Sequence, residues 1–106
     1  KEMEKLARDI QEKYRLINKN KGENEWTYLE YGQGLVGDMG DLMKMLMAKS
    51  NFRGYKGNLD EDIKHELSDC LWSLMVIASE LNIDLDVAFM DKMQELKTRI
   101  ESESSN

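Results

Sequence analysis

The chain has 106 residues, of which 21 are acidic and 15 are basic, so its formal net charge is −6. This charge disfavours a polymeric nucleic acid or an anionic membrane surface as the main partner. The sequence has no apolar run long enough to cross a bilayer and no segment resembling a signal peptide, so we expect a cytoplasmic protein. The length is that of a single domain, residues 1–106, whose small core favours self-association.

The first half of the chain predicts two helices, because it contains no proline and its apolar residues recur three and four positions apart. The first helix is expected from residue 2 to about residue 18, followed by a polar connector through residue 24. The second is expected from Trp26 to Ala48. Glycines within it either allow close approach of another backbone or a ligand, or mark a break in the helix. Each costs about 1 kcal/mol relative to alanine: Gly32, Gly34, Gly37 and Gly40.

The second half predicts two further helices joined by a tight turn. Asn58, with an acid three residues later, is a start signal for a third helix that reaches about Leu81. Asn82 can end that helix in a left-handed conformation, and Asp84 can cap a fourth helix. The tail, residues 101–106, is expected to fray.

Two acidic pairs with a spacing of three residues are the main candidate site. Asp38 and Asp41 lie on the second helix, and Glu66 and Asp69 lie on the third. Apolar residues flank both pairs, so we expect all four carboxylates to be buried. Buried like charges require a cation, and carboxylate oxygens suit Mg²⁺ ahead of Ca²⁺ or Mn²⁺. Two such helices packed antiparallel would bring the four acids together.

Other features of the helices have simpler interpretations. A chain this acidic also forms such pairs by accident, as Asp9 and Glu12 show on the first helix, so a solvated acidic face is the alternative. Cys70 lies in the apolar stripe of the third helix and is predicted to be a packed thiol. Trp72 and Val76 form a second apolar patch on that helix, which we expect to contact another subunit.

Two segments carry a resemblance to a known family. Residues 35–42, Leu-Val-Gly-Asp-Met-Gly-Asp-Leu, and residues 66–72, Glu-Leu-Ser-Asp-Cys-Leu-Trp, resemble the motifs of the MazG-type, all-α nucleoside triphosphate pyrophosphohydrolases. That family has Glu-x-x-Glu on one helix and Glu-x-x-Asp on the next, and residues 82–88 are similar to its turn into the last helix. The resemblance extends from Trp26 to Ile100. It implies a four-helix MazG-like bundle completed by homodimerisation, as a dimer or a pair of dimers.

The resemblance also implies an activity. The reaction would be Mg²⁺-dependent hydrolysis of a nucleoside triphosphate to a monophosphate and pyrophosphate, for example to clean the nucleotide pool, with Mn²⁺ as a substitute metal. Asp38, Asp41, Glu66 and Asp69 would bind the metal, and Asp38 or Asp41 would also orient or deprotonate water. Two aspartates stand where the family usually has glutamates, and each is shorter by one methylene group.

Side chains near the motifs are candidates for substrate binding. Cations could balance the triphosphate, and aromatic rings could stack on the base. Solvated surface and core packing are the respective alternatives. The cations are Lys49, Arg53 and Lys92, with weaker candidates at Lys44 and Lys56, and the aromatic residues are Trp26 and Tyr31, with Tyr28 as a further candidate.

Two other classes of function remain open. One is a helical nucleotide-binding or regulatory module with weak catalysis, and the other is a structural bundle whose acids lie on the surface. A di-iron bundle is disfavoured because the chain has no Glu-x-x-His pair. The only histidine, His65, is expected at the surface.

Overall fold

The computed structural model describes residues 2–104, which form four α-helices and contain no β-strand. The predicted all-helical fold is confirmed, and the ends of the first three helices lie within two residues of their expected positions. The last helix continues through Ser104, whose hydroxyl donates to the carbonyl of Ile100 at 2.9 Å, and the fraying expected from residue 101 stays a prediction. Residues 105–106 lie outside the described part. The helices are α1 (Glu2–Asn20), α2 (Tyr28–Lys49), α3 (Leu59–Glu80) and α4 (Leu85–Ser104).

The start of α2 is fixed by a capping box that the sequence analysis did not use. The Thr27 N–H donates to Glu30 Oε1 at 2.6 Å, and the Leu29 N–H donates to Thr27 Oγ1 at 3.2 Å. These bonds satisfy backbone donors that a helix leaves unpaired at its N-terminus. The Thr-x-x-Glu pattern is visible in the sequence, and it moves the helix start two residues past Trp26.

The predicted signals that start α3 and join it to α4 are confirmed. Asn58 Oδ1 accepts from the Glu61 N–H at 3.3 Å at the start of α3. Asn82 has a φ of 57°, the left-handed conformation that closes a helix. Asp84 Oδ1 then accepts from the Val87 N–H at 3.2 Å, which caps α4.

The glycines of α2 behave differently from the expectation. The helix is continuous over 22 residues, so the expected break is wrong. Beyond their own helix, no atom of residues 2–104 lies within 4 Å of a Cβ placed at Gly32, Gly37 or Gly40. At Gly34 the nearest atom is on the Trp26 ring at 3.9 Å, an ordinary contact. The close approach predicted at these glycines is therefore absent within the described chain.

The core consists of an α2–α3 hairpin with α1 packed on one side of α3. The Trp72 Nε1–H donates to the carbonyl of Ala7 at 3.2 Å, and the Tyr14 ring meets the Trp72 ring edge-on at a centroid distance of 6.0 Å. Val76 is fully buried. The expected contact with another subunit is therefore wrong for Val76, which has no exposed surface. For Trp72, which is half-buried and packs on α1 of the same chain, it stays a prediction.

Helix α4 contributes little to this core. Extended packing joins α2 to α3 and α1 to α3, and no residue of α4 within Leu85–Ser104 is buried. Within residues 2–104, no helix combines the length and the apolar character needed to cross a membrane.

The packing of α1 on α3 predicts the effect of truncating Val76. We expect Val76→Ala to lower the free energy of unfolding by about 2 kcal/mol, because two buried methyl groups are lost and a cavity remains. Urea unfolding at a fixed protein concentration measures this. Val87→Ala is the matched control, since Val87 is 55% exposed and its truncation should change stability by about 0.5 kcal/mol or less. Equal effects at the two positions would contradict the assigned core.

Candidate functional site

Three of the four candidate carboxylates converge where α2 faces α3. One side-chain oxygen each from Asp38, Asp41 and Glu66 lies within 4.8 Å of the other two. Oxygen ligands bind Mg²⁺ at about 2.1 Å and Ca²⁺ at about 2.3–2.6 Å, so these three acids could hold one hard divalent cation if their oxygens move closer together. The hairpin therefore brings together acids that are 25 or more positions apart in the chain.

The expected burial of all four acids is wrong in part. Asp38 and Glu66 are half-buried, whereas Asp41 and Asp69 are exposed. The contact between α1 and α3 includes Trp72, whereas Asp41 and Asp69 stay open to solvent. Asp69 does not join the group of three oxygens, although its charge acts on Glu66.

Glu66 is the electrostatically unusual member of the group. Its Oε1 atom is buried and has no hydrogen-bond partner within residues 2–104. Burial raises the pKa of Glu66 above its ordinary value of 4.5, and the charges of Asp38, Asp41 and Asp69 raise that pKa further. A bound cation would remove both penalties, because it supplies a partner for the oxygen and neutralises the neighbouring charges.

Another group of acids also meets the distance criterion. Glu4, Asp84 and Asp86 have oxygens within 4.8 Å of one another. These residues lie at or near the N-termini of α1 and α4, where the helix dipole favours negative charge. Their grouping therefore has a structural explanation that does not involve a metal.

An aromatic cavity of about 570 Å³ opens next to the acids. Its volume lies within the range of small-molecule sites. The Trp26 and Tyr31 rings meet edge-on at 5.3 Å, and the Tyr31 and Trp72 rings meet edge-on at 5.7 Å. Asp38 and Asp69 also line this cavity, so it is continuous with the acidic site.

Sequence analysis placed Trp26 and Tyr31 near the substrate but missed two other walls of this cavity. Tyr14 and Ile10 of α1 also line it. Both residues belong to the regular apolar stripe of the first helix. Such a stripe predicts core positions, but it does not show which of them face a cavity. The one sequence feature that could have indicated a cavity wall is the aromatic side chain of Tyr14.

A second, basic cavity of about 350 Å³ lies at the opposite end of the acidic group, against Asp41. Lys44 of α2 and two cations of the following loop, Arg53 and Lys56, line it. The Tyr55 hydroxyl donates to Asp62 Oδ2, which ties the loop to the first turn of α3. This contact holds the loop cations next to the acids.

The remaining candidate residues lie elsewhere. Lys49 Nζ pairs with Asp60 Oδ1 at 2.7 Å, and Lys92 Nζ pairs with Glu95 Oε1 at 3.2 Å, and neither lysine lines the two cavities. Their role in substrate binding stays a prediction. Tyr28 is exposed outside the aromatic cavity.

Three further interpretations can be compared with the structure. Cys70 is buried, which confirms a packed thiol, and burial raises its pKa so that it stays protonated. His65 is exposed, as expected. Glu12 of the accidental pair accepts a hydrogen bond from Arg15 Nε at 2.9 Å on the surface.

No protein-family model, curated protein or solved structure matches this chain. The family therefore stays a resemblance carried by the motifs at residues 35–42 and 66–72.

The raised pKa of Glu66 predicts a pH-dependent stability difference between the metal-free wild type and Glu66→Gln. The folded wild type binds the Glu66 proton more tightly than the unfolded chain does, so its stability falls as the pH rises from about 4.5 through the folded pKa. The stability of Glu66→Gln does not fall in this way, because the glutamine side chain does not titrate. Well below pH 4.5 we expect position 66 to contribute equally to the free energy of unfolding in the two proteins. Above that pH we expect the variant to become increasingly more stable than the wild type.

Urea unfolding across this pH range in chelator measures the difference between the two proteins. Subtracting the free energy of unfolding of one protein from that of the other removes the contributions of the titrating groups that both proteins share. A difference that does not change with pH would show that Glu66 is not under electrostatic stress.

Proposed function

We propose that this chain is a Mg²⁺-dependent nucleoside triphosphate pyrophosphohydrolase that converts a ribo- or deoxynucleoside triphosphate to the monophosphate and pyrophosphate. The observation that carries the proposal is the order of three neighbouring features. The carboxylates of Asp38, Asp41 and Glu66 lie between an aromatic cavity and a basic cavity. A nucleoside triphosphate has the complementary order, with a flat base at one end and phosphates at the other.

The described residues support distinct parts of this reaction. Trp26, which is 47% exposed, binds the base by stacking, and the buried Tyr31 supports the Trp26 ring edge-on. Asp38, Asp41 and Glu66 hold Mg²⁺ or Mn²⁺, with Asp69 at the rim. The metal, when bound, neutralises phosphate charge and lowers the pKa of water. The choice between Asp38 and Asp41 as the residue that orients or deprotonates the attacking water stays open.

The cations of the basic cavity bind the phosphates. Arg53 can bind phosphate oxygens with two parallel hydrogen bonds, and Lys44 and Lys56 contribute compact charges. Because the metal activates water, the reaction requires no nucleophilic side chain. This agrees with the protonated state of the buried Cys70.

The resemblance to the MazG-type family, whose motifs contain the same acids, supports the same reaction. With it, the proposal includes a cytoplasmic location, a homodimer or a pair of dimers, and a role in clearing unwanted nucleotides. A second candidate, a nucleotide-binding regulatory module with weak catalysis, is favoured by the exposure of Asp41 and by the shorter reach of the two aspartates.

Pyrophosphate release from a panel of ordinary and modified nucleoside triphosphates tests the proposal. We expect release that requires Mg²⁺ and that Glu66→Gln abolishes, because the central metal ligand is lost. Asp9→Asn is the matched control, since it removes an exposed acid on α1 outside the site and should leave the rate unchanged.

The outcomes separate the three classes of function. Tight nucleotide binding without release from any triphosphate would favour the regulatory module. Absence of nucleotide binding, together with no effect of Mg²⁺ on the melting temperature, would favour a structural bundle with surface acids.

The aromatic cavity predicts a specific effect of Trp26→Ala. Base stacking contributes about 1–3 kcal/mol, so KM should rise by roughly 5- to 150-fold. Tyr28→Ala is the control, because Tyr28 is an exposed aromatic residue two positions away that does not line the cavity. A similar rise in KM for both variants would place the base elsewhere.

A further inference from the structure

The basic cavity next to Asp41 contains cations that are not paired with acids of the chain. The side chains of Lys44, Arg53 and Lys56 line this cavity. None of the three side chains makes a hydrogen bond or an ion pair within residues 2–104. In a chain with 21 acidic residues, three unpaired cations around one cavity favour an anion from outside the chain as their partner.

The acids that follow the loop are occupied by other donors. Lys49 Nζ donates to Asp60 Oδ1 at 2.7 Å, and the Tyr55 hydroxyl donates to Asp62 Oδ2. The acid between them, Glu61, accepts from a lysine one helical turn further along α3 at 3.1 Å. All three acids of the first turn of α3 therefore have partners outside the group of cavity cations.

The loop between α2 and α3 is held at both ends. At its start, the Phe52 N–H donates to the carbonyl of Met47 at 2.8 Å. Near its end, Gly57 has a φ of 111°, a conformation that suits glycine. A Cβ at this position would lie 3.6 Å from Asp62 Oδ2 and 3.7 Å from the Tyr55 ring, so the backbone passes directly beside the hydrogen bond between these two side chains. The loop cations are thus held in place before a ligand binds, which reduces the entropy cost of binding.

We propose that the basic cavity is a site for inorganic pyrophosphate and that the Tyr55–Asp62 hydrogen bond positions its loop cations. The cavity volume of about 350 Å³ is near the lower end of the range for small-molecule sites, which suits a diphosphate better than a whole nucleotide. This inference rests on the proposed function and extends it. Hydrolysis between the α- and β-phosphorus atoms adds the oxygen of water to the monophosphate and releases the other two phosphates as pyrophosphate. The released product therefore competes with the next triphosphate for the same cations.

Asp41 connects this cavity to the group of three acids. It is the one acid among the residues that line the cavity, and its carboxylate also belongs to the group with Asp38 and Glu66. A carboxylate repels pyrophosphate, whereas a cation bound to the three acids neutralises that charge. We therefore expect pyrophosphate to bind more tightly in Mg²⁺ than in chelator. In chelator, Asp41→Asn should lower the dissociation constant of pyrophosphate by about 5-fold or more.

Isothermal titration calorimetry of the full chain with inorganic pyrophosphate in excess Mg²⁺ tests the site. We expect one pyrophosphate per chain. Arg53→Ala should raise the dissociation constant at least about 10-fold, because two parallel charge-assisted hydrogen bonds to phosphate are lost. Lys13→Ala is the matched control, since it removes an exposed cation of α1 outside the cavity and should leave the dissociation constant unchanged.

Three further variants test the positioning role of the hydrogen bond. Tyr55→Phe removes only the hydroxyl and should raise the dissociation constant of pyrophosphate about 3- to 10-fold. Tyr28→Phe is its control, because Tyr28 is exposed outside the cavity. Asp62→Ala should weaken binding as Tyr55→Phe does, although it removes a negative charge. Asp62→Asn keeps an oxygen that accepts from Tyr55 and should restore binding. A purely electrostatic role of Asp62 predicts instead that both Asp62 variants bind pyrophosphate more tightly.

The outcomes distinguish this inference from the proposed function. Triphosphate hydrolysis by a chain that does not bind pyrophosphate up to about 1 mM would leave the proposed function intact and overturn the inference. Pyrophosphate binding that depends on Arg53 and Tyr55, without hydrolysis of any triphosphate, would support the inference and contradict the proposed function. Equal dissociation constants for Tyr55→Phe and Tyr28→Phe would overturn the positioning role. In an active enzyme, pyrophosphate should raise KM for the triphosphate without lowering kcat, and the opposite pattern would place the product elsewhere.

Discussion

The packing of α2 against α3 is the constraint on which the site depends. Apolar contacts along this seam hold Asp38, Asp41 and Glu66 close together, even though their charges repel. Two unit charges 4–5 Å apart repel by roughly 3–4 kcal/mol at an effective dielectric constant near 20, and solvent at the exposed Asp41 reduces this value. The fold therefore maintains an arrangement that its own electrostatics oppose, which is the condition under which a cation binds most favourably.

The other perturbed carboxyls of the described chain show why Glu66 is distinctive. Where an acid has a donor or a cation of its own, its pKa is lowered, because the charged form is stabilised. Glu66 has the opposite shift, since burial and neighbouring acids stabilise its neutral form. Surface pairing thus explains the other acids, whereas the hydrogen bond between Glu66 and Asp38 stabilises only the neutral form of Glu66. The satisfied acids and their main partners are Glu12 with Arg15, Glu30 with Thr27 and Asp60 with Lys49.

Local features of this fold could be predicted from the sequence, and features that depend on which surfaces meet could not. The caps at Asn58 and Asp84 involve residues three positions apart, so the local sequence pattern is sufficient to predict them. Periodicity showed that Trp72 and Val76 form a separate apolar patch, but not that α1 would cover it. Helix pairs with the same stripe can pack in several ways, and the sequence gives only the stripe.

The same limit applies to the site. The spacing of the acids predicted their convergence, because two antiparallel helices meet along one seam. Burial depends on what covers that seam, and Asp41 and Asp69 remain open. Lys49 lies one helix turn from the basic cavity, yet it pairs with Asp60, eleven positions further along the chain. The positive charge of Lys49 does not by itself show whether the lysine pairs with an acid of the chain or with a substrate phosphate.

The two sides of the hairpin have different chemistry, and this separation has a functional consequence. One side carries the acids, the aromatic cavity and the basic cavity, while the other side is apolar and exposes Met39, Met43 and Leu46 of α2. Because the acids and these exposed apolar residues lie on different arcs of the helix, contacts made on the apolar side leave Asp38 and Asp41 facing the two cavities. The chemistry of the site and the packing of the apolar side can therefore vary independently of each other.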